Sequence, residues 1–143
     1  MKLIFFLLIL SLSFNALGQE LDCGNFKNGV YYAEILEPFP VKWKVTREGN
    51  QQIEEVIEIP EEAKKAGYPM HPQYEDIEWI DDCTYRLKYD STKFELSQSQ
   101  KMINDNGGVL TKIVKIENNC YYYISTLAID GKEKTMEGKL CLE

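Results

Sequence analysis

Four side chains on two successive segments have the types and spacing of a small-molecule site: Trp43, Arg47, Gln52 and Glu54. Trp43 and Arg47 share one face of the predicted strand Val41–Arg47. Along this strand, mostly apolar residues on that face alternate with polar residues on the other face. A two-residue turn at Gly49-Asn50 pairs this strand with the next at three positions, namely Arg47/Gln52, Val45/Glu54 and Trp43/Val56. Polar groups that converge beside an aromatic ring in a curved sheet are typical of a ligand site.

Two alternatives to this ligand site stay open. The interpretation that we favour is structural, an Arg–Glu pair with a side-chain amide that stabilises the open end of the sheet, because structural networks often imitate functional sites. In the other, a three-residue loop Glu48-Gly49-Asn50 aligns Val45 with Ile53, and the polar group does not form.

The sequence lacks the motifs that mark common catalytic and metal sites. The single histidine, His71, lies between prolines and is predicted to be a surface loop residue. It cannot form a His-rich metal site, and no serine has the glycine-flanked turn of a nucleophile. We therefore predict no catalytic residue, no metal site and no cofactor, and a protein that is not an enzyme.

The many acidic residues do not define a site either. If Gly107 were the glycine of a calcium loop, Met102 and Ile113 would occupy ligand positions that require oxygen. Asp81-Asp82 is better explained as a hairpin loop. A hydrolase with a carboxylate pair stays the least favoured alternative, because nothing in the sequence selects two acids.

The N-terminal residues predict export. A basic start, Met1-Lys2, precedes the apolar run Leu3–Leu12 and the small-residue triplet Ala16-Leu17-Gly18. This is the pattern of a secretory signal peptide, which we place at residues 1–18, leaving one domain at residues 19–143. No second apolar run appears, so we expect no stable membrane insertion and a periplasmic or extracellular location.

The charge of the chain argues against nucleic acid as a partner. There are 16 Lys and Arg against 23 Asp and Glu, and one of the lysines lies in the predicted signal peptide. An acidic surface repels phosphate and favours solubility, so we expect a soluble acidic monomer.

All four cysteines fall in the predicted mature domain, and an even count in an exported domain indicates two disulfides. A two-residue turn at Asp130-Gly131 pairs Cys120 with Cys141 at a non-hydrogen-bonded position, where the strands approach most closely. By elimination the other bridge is Cys23–Cys83.

Short β-branched and aromatic runs recur about every ten residues, which predicts a mostly β fold. We expect an antiparallel meander of eight strands that forms a curved sheet or a small, partly open barrel: Val30–Leu36, Val41–Arg47, Gln52–Ile59, Tyr74–Ile80, Cys83–Tyr89, Val109–Glu117, Cys120–Ile129 and Lys132–Leu142. Two short helices are predicted, one in Pro60–Gly67 and one that begins at Thr92 and ends at Gly107-Gly108.

Two smaller expectations concern aromatic residues. A loop of Ile80-Asp81-Asp82 would set Trp79 against Cys83 and Ile77 against Tyr85. The run Tyr121-Tyr122-Tyr123 has side chains on both faces of its strand, so Tyr122 is a candidate for contact with a protein or glycan.

Residues 23–89 resemble a family of small exported proteins from Bacteroidota-type bacteria that has no established biochemical function. The matching residues are Cys23-x-x-Phe26-Lys27-x-Gly29, Val45-Thr46-Arg47, Gln52-x-Glu54 and Ile77-x-Trp79-Ile80-x-Asp82-Cys83-x-Tyr85-x-Leu87. The chain departs from that pattern in its additional pair Cys120/Cys141 and in an insertion at Pro60–Gln73. The resemblance implies export, one β domain and the bridge Cys23–Cys83, and it implies no activity.

From the sequence we expect a non-enzymatic exported binding protein, in its sharper form a lipocalin-like small-molecule carrier. The alternative is an envelope or secreted protein–protein interaction module that offers a sheet edge or a tyrosine face.

Overall fold

The computed structural model describes residues 22–35 and 39–143, and the predicted signal peptide lies outside them. Eight antiparallel strands follow one another around a closed barrel in chain order, and the last strand pairs with the first. Their bounds are β1 Gly29–Ile35, β2 Val41–Glu48, β3 Gln51–Glu58, β4 Gln73–Trp79, β5 Thr84–Tyr89, β6 Val109–Glu117, β7 Cys120–Ile129 and β8 Lys132–Leu142.

Leu36, the predicted end of the first strand, lies outside the described residues; the other predicted strand bounds are confirmed to within one residue, and those of β6, β7 and β8 are as predicted. The alternation of residue types explains this agreement, since every second side chain of a barrel strand points into the interior. On β7, for example, Tyr121 is fully buried while Tyr122 lies on the outer face.

In the described ranges, two α-helices lie between strands and one 3-10 turn precedes β1. α1 spans Glu61–Lys65 and α2 spans Gln98–Asp105, while the 3-10 turn spans Cys23–Phe26. α1 lies within the predicted segment, because Pro60 precedes it and Gly67 follows it with φ 87°.

The predicted start of α2 is wrong. Thr92 does not cap a helix, because its amide and hydroxyl both donate to the carboxylate of Asp90. The capping box is instead formed by Ser97 and Gln100, each bonding the other's backbone amide. The predicted end is confirmed, since the amide of Gly108 donates to the carbonyl of Ile103.

Two predicted hairpins are confirmed. The turn Gly49-Asn50 joins β2 and β3 with Arg47 opposite Gln52. The turn Asp130-Gly131 joins β7 and β8 with both residues at positive φ, as a type I′ turn requires. Cys120 pairs with Cys141 as predicted, their Cα atoms lie 3.9 Å apart, and a disulfide joins them.

The register predicted for β4 and β5 is wrong by two residues. Ile77 lies opposite Leu87 and Trp79 lies opposite Tyr85. The loop is longer than predicted because the amides of Ile80 and Asp81 both donate to the carbonyl of Thr84. A shift of two preserves the face of every side chain, so Trp79 still points inward and packs on Tyr85, with ring centroids 4.9 Å apart.

The two ends of the barrel are built differently. At one end the turns are short, and the 3-10 turn covers it, fixed by the Cys23–Cys83 disulfide. Phe26 from that turn packs edge-on against Tyr121, with centroids 4.9 Å apart. At the other end the connections that carry α1 and α2 surround the opening. We call these the closed end and the open end.

Candidate functional site

The barrel encloses a cavity of about 230 Å³ to which all eight strands contribute side chains. One part of its wall is apolar, formed by Val45, Leu87 and Leu140, among others. Another part is polar and includes Gln52 and two carboxylates, Glu54 and Glu75. Such a concave, mostly apolar space with few polar groups is the usual form of a small-molecule site.

The cavity adjoins a wider hollow of about 690 Å³ at the open end. Trp43, Glu54 and Tyr89 line both spaces, so they stand at the boundary between them. α2 forms part of the hollow's wall and is tied to the barrel by Asn104, whose side chain bonds both the amide and the carbonyl of Tyr89. The open end therefore leads to the cavity.

Arg47 lies at the closed end and is 2% exposed. Its guanidinium donates three hydrogen bonds, to the Gln52 side-chain oxygen at 2.7 Å, to the Phe26 carbonyl at 3.0 Å and to the Tyr85 hydroxyl at 2.8 Å. The guanidinium carbon also lies 4.5 Å from the Tyr85 ring centroid and 5.5 Å from that of Tyr121. A buried arginine must be paired in this way, because an unpaired buried charge is very costly.

Gln52 connects this arginine to the two carboxylates. Its oxygen accepts from Arg47, and its amide nitrogen donates to Glu54 at 2.9 Å and to Glu75 at 2.8 Å. The side chain is 1% exposed, and the network fixes its orientation, since only the oxygen can accept and only the nitrogen can donate. Arg47 and the two glutamates are thereby held in one chain of hydrogen bonds.

Burial raises the pKa values of the two carboxyls. Desolvation raises the pKa of Glu75 well above its ordinary value, and the nearby Glu54 carboxylate raises it further. Desolvation likewise raises the pKa of Glu54. Glu75 is 7% exposed, whereas Glu54 also faces the hollow, so Glu75 is the member that keeps its proton to higher pH.

The indole of Trp43, a residue that lines both the cavity and the hollow, carries a buried hydrogen-bond donor. Its Nε1 atom is buried and has no hydrogen-bond partner among residues 22–35 and 39–143. A buried donor without a partner costs about 1–3 kcal/mol, so an acceptor brought to this position would be stabilised.

The structure brings the four predicted site residues into two adjoining places. Arg47 is buried at the closed end, Trp43 and Glu54 line the cavity, and Gln52 both lines the cavity and bonds Arg47. Arg47 and Glu54 do not pair directly, because Gln52 lies between them.

Sequence reasoning missed Glu75, the second carboxylate. The inward orientation of Glu75 could be predicted, because Glu75, Ile77 and Trp79 alternate on one strand and share its inner face. The contact that Glu75 makes could not be predicted. Glu75 lies on β4 and contacts β3, and the predicted insertion separates these two strands in the sequence. Tyr89 and Tyr123, which also line the cavity, were missed as site residues for the same reason.

The remaining chemical candidates lie elsewhere. His71 is exposed at the rim of the hollow, with its ring 5.8 Å from that of Phe94. Tyr122 is half-buried on the outer face between Lys115 and Lys139. Within the described part of the chain, no group of three or more His, Cys, Asp or Glu residues is placed to hold a metal ion.

Comparison with known proteins adds no relative: no family model, no curated protein and no solved structure matches the chain. Across the described ranges, no helix is long and apolar enough to cross a membrane. The two disulfides point to an oxidising, exported environment.

Proposed function

We propose that this protein is a non-enzymatic carrier that binds one small organic molecule inside its barrel, in the periplasm or outside the cell. The observation that carries the proposal is the 230 Å³ cavity, which is lined from all eight strands and adjoins an open hollow. A barrel built only for stability would fill its interior with side chains.

The construction of the two ends supports a carrier. Arg47, its aromatic neighbours and a disulfide stabilise the closed end, so the barrel holds its shape without a ligand. The open end is surrounded by longer connections, which can adjust when a molecule passes. The acidic chain also favours a soluble monomer with no affinity for nucleic acid.

The two alternatives have less support. A protein-interaction module that offers a sheet edge needs an unpaired strand, whereas β1 pairs with β8. A carboxylate-pair hydrolase gains one favourable observation in Glu54 and Glu75. Both carboxylates, however, bond the same Gln52 amide inside the wall, and a glycosidase requires two acids that flank the bond to be cleaved.

Native mass spectrometry tests the proposal. The oxidised mature protein is incubated with an extract of its own source cells, and its mass is compared under native and denaturing conditions. We expect an added mass of small-molecule size that disappears on denaturation. An unchanged mass under both conditions contradicts the carrier.

A matched pair of variants locates the binding. Ala33→Leu adds volume inside the cavity, and Glu34→Leu adds the same side chain to the adjacent, exposed position. The first variant should lose the added mass and the second should keep it, provided that near-UV circular dichroism shows both to be folded. Equal retention by the two folded variants means that the molecule binds elsewhere.

A further inference from the structure

Resting on the proposed function, we infer that the ligand is a small organic amine, with its ammonium group between the carboxylates of Glu54 and Glu75 and its apolar body in the rest of the cavity. The four arguments for this class are the charge that faces the cavity, the unfilled hydrogen-bonding capacity, the aromatic wall and the volume.

The charge that faces the cavity is negative. Arg47 is not part of the cavity wall, because Gln52 and Tyr85 stand between its guanidinium and the space and accept its hydrogen bonds. Glu54 and Glu75 are part of that wall. A cation placed there relieves the repulsion between two carboxylates, whereas an anion adds to it.

The carboxylates have hydrogen-bonding capacity that the described protein does not fill. The Glu75 carboxylate accepts from Gln52 through Oε2, and Oε1 takes no hydrogen bond from any residue the structure describes. Glu54 similarly accepts through Oε1 alone. Each ionised carboxylate offers about four acceptor positions, and an ammonium group has three donors, so the two are complementary.

The walls next to the pair suit a cation that carries an apolar body. Trp43, Tyr89 and Tyr123 line the same cavity and can present ring faces to an ammonium group. Val45, Leu87 and Leu140 provide the apolar remainder. The volume of about 230 Å³ is below the range of about 300–1,000 Å³ usual for drug-sized ligands, so a molecule with one ring fits best.

Protonation gives the site a pH dependence. The groups that face the pair are Gln52, Arg47 from β2, Tyr85 and Tyr89 from β5 and Tyr123 from β7, while His71 and Glu95 line the hollow outside. Burial raises the pKa values of Tyr89 and Tyr123, which stay neutral below pH 9. Amine binding favours the ionised carboxylates, so it should strengthen as the pH rises through the range in which the two carboxyls lose their protons, and within that range it should release protons.

Isothermal titration calorimetry with three probes that share a phenylethyl group tests the inference: 2-phenylethylamine, 2-phenylethanol and 3-phenylpropanoate. The protein is first shown by native mass spectrometry to carry no molecule. At pH 8 we expect the amine to bind roughly tenfold or more tighter than the alcohol, because hydrogen bonds between two charged groups are stronger than hydrogen bonds from a neutral hydroxyl. The anion should bind weakest. At lower pH, where Glu75 holds its proton, titration in buffers of different ionisation enthalpy should show proton release for the amine alone.

Variants assign the preference to the two carboxylates. Glu54→Gln/Glu75→Gln keeps the shape of both side chains and should remove the preference for the amine over the alcohol, and each single variant should reduce it. Glu55→Gln is the matched control, because Glu55 pairs with Lys44 and is not part of the cavity wall. It should leave the preference unchanged.

The outcomes separate this inference from the carrier proposal. If the alcohol or the anion binds as tightly as the amine, or if the folded double variant keeps the preference, the amine assignment is wrong and the carrier stands. If none of the three probes binds and the cell extract adds no mass, the carrier proposal fails and the inference fails with it.

Discussion

At the scale of single residues, one side-chain amide keeps opposite charges apart inside the barrel. Gln52 accepts from Arg47 on one side and donates to Glu54 and Glu75 on the other. A carboxylate at position 52 would face two others, and an apolar residue would leave the arginine without one of its three acceptors. The side chain of Gln52 thus separates Arg47, which stabilises the closed end, from the cavity.

The raised pKa of Glu75 makes stability depend on pH. In the unfolded chain its pKa is that of an ordinary glutamate, so over the window between that value and the raised native value the folded state binds more protons. The free energy of unfolding should therefore fall as the pH rises through this window, by about 1.4 kcal/mol for each unit of pKa elevation. Glu75→Gln should flatten the fall, measured by urea unfolding at a series of pH values.

One control variant, and three acidic residues with the opposite pH dependence, help to test this prediction. Glu78→Gln, on the exposed outer face of β4, should keep the wild-type slope. Hydrogen bonds lower the pKa values of Asp81, Asp90 and Glu117, so stability from these groups is lost as the pH falls through the acid range. A Glu75→Gln protein that loses as much stability as the wild type when the pH rises through this window would contradict the assignment.

At the scale of elements, the passage from α2 into β6 depends on two consecutive glycines. Gly107 and Gly108 have φ of 92° and 83°, a region that other residues enter at a cost. A Cβ at Gly108 would lie 2.3 Å from the backbone oxygen of Leu87, whereas one at Gly107 would approach only the end of the Arg86 side chain at 3.4 Å. Close approach of the chain to β5 therefore makes Gly108 the stricter requirement.

Substitution of each glycine by alanine separates the cost of the backbone conformation from the cost of the close contact with Leu87. Gly107→Ala should cost about 1 kcal/mol of stability, from the backbone conformation. Gly108→Ala should cost about 1–3 kcal/mol more, because β5 must also move. The free energies of unfolding come from urea denaturation of both variants, and equal losses would show that the contact with Leu87 does not restrict the chain.

At the scale of the whole molecule, the disulfides constrain the closure of the barrel. Among the described residues, β1 and β8 pair in register at Tyr31/Leu142 and Tyr32/Cys141. One bridge joins Cys141 to β7 next to this seam, and the other fixes the segment that precedes β1 to the loop between β4 and β5. Both bridges therefore support the longest-range pairing in the fold.

The two bridges should differ in their contribution to stability. Cys23 and Cys83 are 60 residues apart, and Cys120 and Cys141 are 21 apart. Loop-closure entropy in the unfolded chain then predicts a loss of about 4 kcal/mol for Cys23→Ser/Cys83→Ser and about 3 kcal/mol for Cys120→Ser/Cys141→Ser. Urea unfolding of the two double variants measures this order, and the reverse order would mean that native contacts at the hairpin bridge outweigh chain entropy.

The sequence by itself determined the eight strands, the disulfide of the last hairpin and the neighbourhood of Arg47, Gln52 and Glu54. All of these follow from alternation and from two-residue turns, in which partners lie a few residues apart and their register is set locally. The start of α2 and the register of β4 and β5 were predicted wrongly, because side chains and amides bond across turns in ways that composition does not reveal.

Only the tertiary structure decided that there is a cavity and that Glu75 shares it with Glu54. Both depend on closure of β1 against β8 and on pairing of β3 with β4 across the connection that holds α1. The physical reason is that the space inside a barrel is set by how its strands pair and close around the whole circumference, whereas periodicity along the chain reports only which face of each strand is covered.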